Sequence, residues 1–410
     1  MSIKNISVIG LGYIGLPTCA AFASNGINVQ GVDRDIDVVK TINKGEIHIV
    51  EPGLSDVIKR VVDSGKLSAS SDVMPSDVFL IAVPTPFKGT NHEPDLSYIE
   101  SAAKMIAPVL QENNLIILES TSPTGTSEYL SELLSEMRGD LIFPTRDGVN
   151  NNIFIAHCPE RVLPGNIMHE IIFNNRIIGG ITTECSKKAK ELYKVFVKGE
   201  CILTDARTAE MSKLVENSFR DVNIAFANEL SVLCDKVNID VRELIKLANL
   251  HPRVEILSPG AGVGGHCIAV DPWFIVSSDP KNSKLIKTAR EVNDTKPNWV
   301  VDKIEKCIKN NDEVETAIAI YGLSFKPNID DLRQSPALQI AEMSESLDAT
   351  SIFIVEPNID QLPKSLKRSI LVDYDFAISN ADIHIFLVTH DEFLNKEKPK
   401  NKILDICGIW

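Results

Sequence analysis

Three features of the sequence predict an α/β protein with two doubly wound parallel-sheet domains joined by a helical central domain. The first third of the chain alternates short apolar runs with amphipathic stretches. The same alternation returns after about Glu315. Between Glu200 and His251 there is neither Gly nor Pro, so one long helix is expected there. A parallel sheet with helices on both faces requires alternation of this kind. The expected division is 1–199, 200–312 and 313–410.

Taken in order, Ile6–Ile9, Val29–Val32, Val78–Val83 and Leu115–Leu118 read as buried strands, each a short apolar run closed by Gly, Pro, Ser or an acid. Phe154–Ala156 and Arg176–Ile178 are further short runs. Thr204 or Asp205 is placed to cap the long helix, which the pattern carries to about Asp235. Asp240 and Glu243 have capping-box spacing for a second helix. A Gly-rich loop, Pro259–Gly265, follows. Ala317–Tyr321, Ile352–Val355, Ile383–Val388 and Ile403–Ile406 read as strands of the second sheet, and the lysine-rich stretch Asn395–Lys402 as a solvated loop. Both sheets place an acid after their second strand, Asp33 and Glu356.

Composition narrows the function. The 410 residues carry 42 Lys+Arg against 56 Asp+Glu, a formal net charge of −14. That balance argues against a nucleic-acid partner, whose phosphates need a basic surface. No run approaches the ~18 apolar residues of a membrane span, so no membrane partner is expected. The N-terminus reads as a strand entering a glycine turn rather than an export signal, so a cytoplasmic protein with reduced thiols is expected. The eight cysteines are scattered without a C-x-x-C pair, and no metal site is expected.

Gly10-Leu-Gly12-Tyr-Ile-Gly15 follows the first strand and opens an apolar helix. In a Rossmann-like unit the first Gly permits the tight turn, the second admits a pyrophosphate, and the third lets helix and sheet pack. Asp33, at the end of the next strand, suits ribose hydroxyls and repels a 2′-phosphate, which favours NAD; Arg34 beside it softens that preference. Thr85 in Val83-Pro-Thr-Pro86 and Thr121 in Glu119-Ser-Thr121-Ser-Pro123 end strands where ligands of open α/β sheets sit. Ordinary strand-ending turns explain either motif equally well.

On the long helix, Lys213, Asn217 and Arg220 share one face, either a solvated stripe or a site for a sugar hydroxyl or phosphate. Gly262-Val-Gly264-Gly265-His-Cys267 presents one cysteine from a glycine loop, with Asp271 four residues on. Such a cysteine is either a nucleophile or a small buried side chain, and the other seven are read as the latter. Lys326 and Arg333 flank a loop ending the first strand of the second sheet, either anion-binding groups or a charged surface loop.

The combination resembles the UDP-glucose/GDP-mannose dehydrogenase family over essentially the whole chain. The stretches that carry the resemblance include Gly45–Pro52, Val83–Gly89, Cys158–Gly165, Arg207–Met211, Asn217–Glu229, His251–Arg253 and Gly264–Phe274. It implies a cytoplasmic homodimeric enzyme that oxidises a nucleotide sugar at C6, from alcohol to carboxylate, with two NAD per sugar. The implied sugar is UDP-N-acetyl-D-mannosamine and the product feeds cell-surface polysaccharide assembly. Alternatives are the C2 epimer UDP-N-acetyl-D-glucosamine, a two-electron hydroxyacid dehydrogenase, and a catalytically silent NAD-dependent regulator.

By the same resemblance, Cys267 would trap the aldehyde as a thiohemiacetal that is oxidised to a thioester. Lys213 would accept a proton from the C6 oxygen or stabilise it as an oxyanion, with Asn217 holding that oxygen. Asp271 and Glu160 would position or activate the hydrolytic water, and Thr121 would assist through a bound water. Arg161, Val162, Arg220, Gly264, Phe325 and Lys326 would line the sugar-nucleotide site, with His251 and Arg253 from the other subunit. Tyr13, Ile14, Asp33, Thr85, Thr126 and Arg333 would join the glycines at the cofactor. The chain departs from close relatives at Cys407, where they carry a basic residue.

Overall fold

The computed structural model describes residues 3–89, 92–148, 150–162, 165–265, 267–311 and 315–410. The expected border between central and C-terminal domains, 312/313, lies outside the described residues. Two compact units divide the chain, 1–215 and 216–410.

The first unit holds an eight-stranded sheet and a small hairpin. The strands are β1 (Asn5–Ile9), β2 (Asn28–Val32), β3 (Leu67–Ser70), β4 (Val78–Ile81), the hairpin pair β5 (Phe87–Lys88) and β6 (Glu93–Pro94), then β7 (Leu115–Leu118), β8 (Phe154–His157), β9 (Arg176–Gly180) and β10 (Cys201–Asp205). The sheet order is β10-β9-β8-β7-β4-β1-β2-β3. Order reverses between β1 and β4, which opens the crevice at their carboxyl ends where ligands of such sheets bind. β9 pairs antiparallel with β8, so β9 and β10 run against the other six strands. An antiparallel neighbour needs no full crossover, and the short helix Ile167–Phe173 makes the connection. β10 was not expected, because it enters the long helix without a break.

Alternation across the sheet explains why whole strands are apolar. Val8, Leu80 and Ile117 pack on one face with Leu16, Cys19 and Phe22 of α1 (Gly15–Ser24). Their neighbours Ile9, Ile81 and Ile116 pack on the other face with Leu130 and Leu134 of α2 (Thr126–Met137). Each such side chain contributes about 1.5–3 kcal/mol when removed from water. Further along, α3 (Thr183–Tyr193) covers the β9–β10 edge.

The expected long helix is α4 (Ala206–Lys236). Asp205 caps it, accepting the Thr208 N–H at 3.0 Å. α5 (Val241–Ala248) begins at Asp240, whose carboxylate accepts from the Arg242 and Glu243 N–H groups. After the glycine loop come α6 (Asp271–Ser278) and α7 (Lys284–Lys309), which carries Pro297 inside it.

The second unit closes on a five-stranded, all-parallel sheet. Its strands are β11 (Ala317–Tyr321), β12 (Ser351–Val355), β13 (Ser369–Leu371), β14 (Ile383–Phe386) and β15 (Lys402–Asp405), in the order β13-β12-β11-β14-β15. Ile318, Ile320, Ile352 and Ile354 face one core cluster, while Ala319, Tyr321, Phe353 and Val355 face the other. The chain is therefore an α/β protein with a mainly parallel sheet in its first unit, an all-parallel sheet in its second and helices between, and no helix among the described residues is long and apolar enough to cross a membrane.

Candidate functional site

The turn after β1 is built for close approach. Gly10 adopts φ +94°, and a Cβ there would meet the Ala82 carbonyl oxygen at 2.5 Å. A Cβ on Gly15 would lie 1.8 Å from the Gly10 oxygen, so helix and turn touch directly. Gly12 has nothing within 4 Å of such an atom. The backbone at Gly12 thus borders open space, and α1 starts without a side-chain cap. Uncapped N–H groups at a helix start suit a phosphate. Asp33 accepts the Leu11 N–H at 2.9 Å and the Asp35 N–H at 3.0 Å. A carboxylate offers about four acceptor positions, so capacity remains for ribose hydroxyls. This turn, opening and acid fit NAD. Tyr13 and Ile14 are half-buried beside the turn, and Arg34 is exposed.

The neighbouring strand ends carry the other residues expected at the cofactor. Thr85 donates its hydroxyl to the Thr121 carbonyl, tying the β4 and β7 ends together. Thr126 is buried at the start of α2, and its hydroxyl donates to Pro123 O at 2.6 Å. Glu210 of α4 accepts the Gly125 and Ser127 N–H groups at 2.6 and 2.7 Å, which anchors that turn.

Beyond β8, Glu160 is buried and accepts a hydrogen bond from the Arg176 guanidinium. It also accepts the Arg161 N–H at 2.8 Å. Arg161 in turn donates to the Asn175 carbonyl, and both it and Val162 are half-buried. Arg176 reaches Glu119 at 3.4 Å, and the Tyr193 hydroxyl donates to Glu119 at 2.6 Å. Burial pushes the Glu119 carboxyl up to about 7 against the pull of Arg176. Sequence alone did not single out Arg176 and Glu119 as partners of Glu160; the available signal was a charge set inside or just after a short apolar strand. Lys213 is half-buried on α4. Its charge adds to burial in lowering the His157 imidazole to about 3.

The second unit assembles the cysteine site. Of the eight cysteines, five are buried, Cys307 and Cys407 are intermediate, and Cys267 alone is exposed; none is in a disulfide. The Cys267 carbonyl accepts the Val270 and Asp271 N–H groups at 3.0 and 2.8 Å, which joins the loop to the start of α6. Asp271 is 3% exposed and accepts a hydrogen bond from the Asn217 side-chain amide. The structure thus brings Asn217 to the Cys267–Asp271 segment, 54 residues further along the chain. Beneath them, the fully buried Arg290 pairs with Asp221 of α4, and Arg290 also donates to the Ile268 carbonyl at 3.4 Å.

The glycines of this loop are fixed by what packs on them. A Cβ on Gly264 would meet Gln334 O at 2.4 Å, and one on Gly265 would meet the Phe325 ring at 2.8 Å. The cysteine loop therefore rests on the loop after β11, which carries Phe325 and the exposed Lys326. That second loop is held much as the first is: Glu356 accepts the Leu323 N–H at 2.7 Å, as Asp33 accepts that of Leu11. His390 accepts the Asn328 N–H at Nδ1, 3.0 Å, so its Nε2 carries the proton toward Glu356 at 3.1 Å. Burial raises the Glu356 carboxyl, but the hydrogen bonds from His390 and Leu323 outweigh it and hold it at about 2.

The remaining expected residues lie at the surface. Arg220 is exposed on α4, and His251 and Arg253 are exposed just beyond α5. Arg333 makes a bidentate pair with Asp331. At Cys407, Arg242 lies close by: its Nη2 donates to the Asp405 carbonyl at 3.2 Å. Glu160, Thr121 and Lys213 belong to the first unit, and Cys267, Asn217 and Asp271 to the second.

Comparison with known proteins follows this geometry along the chain. Residues 4–197 match the NAD binding domain of the UDP-glucose/GDP-mannose dehydrogenase family, 207–295 its central domain and 319–410 its UDP binding domain. A UDP-N-acetyl-D-mannosamine dehydrogenase of Campylobacter jejuni is 60% identical over 98% of this chain and 99% of its own. One of Escherichia coli is 56% identical over 100% of both. The solved UDP-N-acetyl-mannosamine dehydrogenase of S. aureus superposes with a TM-score of 0.88 at 42% identity, covering 99% of this chain and 95% of its own.

Proposed function

The chain belongs to the UDP-glucose/GDP-mannose dehydrogenase family, and we propose that it oxidises UDP-N-acetyl-D-mannosamine at C6 to the uronic acid. It is an oxidoreductase and NAD is its cofactor. The observation that carries the substrate is the end-to-end likeness to relatives named for this sugar, 60% and 56% identical. In this reading the product supplies cell-surface polysaccharide assembly.

NAD, when bound, accepts a hydride in each of the two oxidations. The chain's own groups do the rest. Cys267 adds to the C6 aldehyde as a thiolate, because an aldehyde has no second hydride to give until a nucleophile has added to its carbonyl. The exposed thiol in a glycine loop supports this role. Lys213 serves the C6 oxygen as proton acceptor or oxyanion stabiliser, and Asn217 holds that oxygen from one turn further along α4. Asp271, kept in place by Asn217, and Glu160, kept in place by Arg176, position water for hydrolysis of the resulting thioester. Thr121 assists through a bound water.

Arg161, Val162, Arg220, Gly264, Phe325 and Lys326 bind the sugar nucleotide in this scheme, and His251 and Arg253 serve the site of a second subunit. Tyr13, Ile14, Thr85, Thr126 and Arg333 surround the cofactor with the three glycines, Asp33 and Arg34. The domain division 1–199, 200–312 and 313–410 matches these roles: cofactor, cysteine loop with dimer contact, and UDP. A cytoplasmic homodimer is part of the same proposal.

The deciding measurement is NADH formed per sugar consumed, with limiting UDP-N-acetyl-D-mannosamine beside its glucosamine epimer and UDP-glucose. Two NADH with the mannosamine sugar alone is expected. Two with another sugar would move the substrate, and one would remove the thioester step.

A further inference from the structure

Glu119, Glu160 and Arg176 form a closed polar cluster inside the first unit. They are 2%, 9% and 4% exposed. Arg176 donates one nitrogen to Glu160 and lies 3.4 Å from Glu119 with another. Tyr193 of α3 donates to Glu119 at 2.6 Å, and Thr18 of α1 does so at 3.3 Å. The guanidinium carbon also sits 4.3 Å from the centre of the Tyr193 ring. Cys19 on α1, Cys158 after β8 and Cys201 on β10 also face the cluster, and Arg161 and Glu170 line the cavity beside it.

Two carboxylates against one guanidinium leave a net negative charge out of water. A buried uncompensated charge is costly, so such a cluster retains a proton. Glu119 is the site for it, since Arg176 commits its shorter contact to Glu160 and Tyr193 and Thr18 present only hydroxyls to Glu119. Beside the pair lies a polar cavity of about 10 Å³, lined by Glu160, Arg161, Glu170, Asn174, Asn175 and Arg176. That is roughly the space one water needs.

We propose that Arg176 and Glu119 are positioning residues for Glu160, fixing its carboxylate beside a single water. This rests on the reading in which Glu160 serves hydrolysis of a Cys267 thioester. In that step a water oxygen bonds to the acyl carbon, the C–S bond breaks, the thiolate leaves, and the water's proton goes to Glu160; no electrons change hands. When Glu119 is neutral, Arg176 is held by Glu160 alone. When Glu119 ionises near neutral pH, it competes for the guanidinium and leaves the Glu160 carboxylate free to turn to the water.

The test follows acyl-enzyme on Cys267 by intact mass during turnover with NAD and UDP-N-acetyl-D-mannosamine, across pH 6 to 8. Glu160→Gln and Arg176→Lys are expected to accumulate adduct, with hydrolysis slowed at least tenfold and the KM for NAD within about twofold of wild type. Wild-type hydrolysis should rise with pH, and Glu119→Gln should flatten that rise. Accumulation in Glu160→Gln, with wild-type hydrolysis in Arg176→Lys and an unchanged pH profile in Glu119→Gln, would overturn the positioning role alone. Absence of adduct in Glu160→Gln would overturn the underlying reading and this proposal with it. Should Arg176→Lys fail to fold, the pH profile of Glu119→Gln decides.

Discussion

Asn217 donates its side-chain amide to the buried carboxylate of Asp271, and so joins α4 to the first residue of α6. A hydrogen bond to a charged group is worth about 1.5–3 kcal/mol. Asn217→Ala should therefore lower kcat roughly 10- to 100-fold, with little change in the KM for NAD. Steady-state kinetics check this, and an unchanged kcat would remove the pair from the mechanism.

The glycines of the first turn should separate cofactor binding from folding. An added methyl at Gly12 meets nothing within 4 Å, whereas at Gly15 it lies 1.8 Å from a backbone oxygen. Gly12→Ala should melt like wild type without NAD, yet bind NAD at least tenfold more weakly. Gly15→Ala should lose stability whether or not NAD is present. Thermal melts with and without NAD distinguish them, and equal behaviour would refute the assignment of the open space.

Packing at the cysteine loop predicts a different pattern. Gly265→Ala combines φ +83° with a 2.8 Å approach to Phe325, and Gly264→Ala presses on the Gln334 carbonyl. Overpacking of this kind costs about 1–3 kcal/mol. Both variants should lower kcat and change the rate at which iodoacetamide labels Cys267. Unaltered labelling would mean that the loop after β11 does not hold the thiol.

His157 should make the protein sensitive to acid. It is fully buried, neither ring nitrogen has a hydrogen-bond partner among the described residues, and burial and the Lys213 charge lower its pKa from 6.5 to about 3. Below about pH 6.5 the unfolded chain binds a proton that the folded one refuses. The neutral-histidine contribution is therefore complete above that pH and is lost as pH falls toward 3, at about 1.4 kcal/mol per pH unit. His157→Phe should flatten the melting temperature between pH 6 and 4. A slope equal to wild type would contradict the shift.

An apolar stripe on α4, α5 and the turn after it predicts self-association. Phe219, Phe226 and Leu233 recur every seven residues and are 71%, 52% and 53% exposed, and Leu247 and Leu250 are exposed too. Apolar residues at heptad spacing face a partner helix. Wild type should sediment as a dimer and Phe226→Glu should shift toward monomer at micromolar concentration. A monomeric wild type would leave the stripe unexplained.

Much of this was legible in the sequence because local order carries it. The β1 turn, Asp33, a cap at Thr204 or Asp205 and the long helix follow from glycine placement, side-chain spacing and the absence of Gly and Pro between Glu200 and His251. β10 was hidden because Cys201–Asp205 passes into α4 without a turn residue. The glycine loop around Cys267 was equally visible, but not that Cys267 would be the exposed thiol among eight.

The sequence by itself determined the two sheets and the cofactor turn. Tertiary structure decided which charges lose their water and which partner each receives. Arg176 meets Glu119 across 57 residues, and Asn217 meets Asp271 across 54. Desolvation depends on everything packed around a group, so no run of neighbours in the chain can specify it.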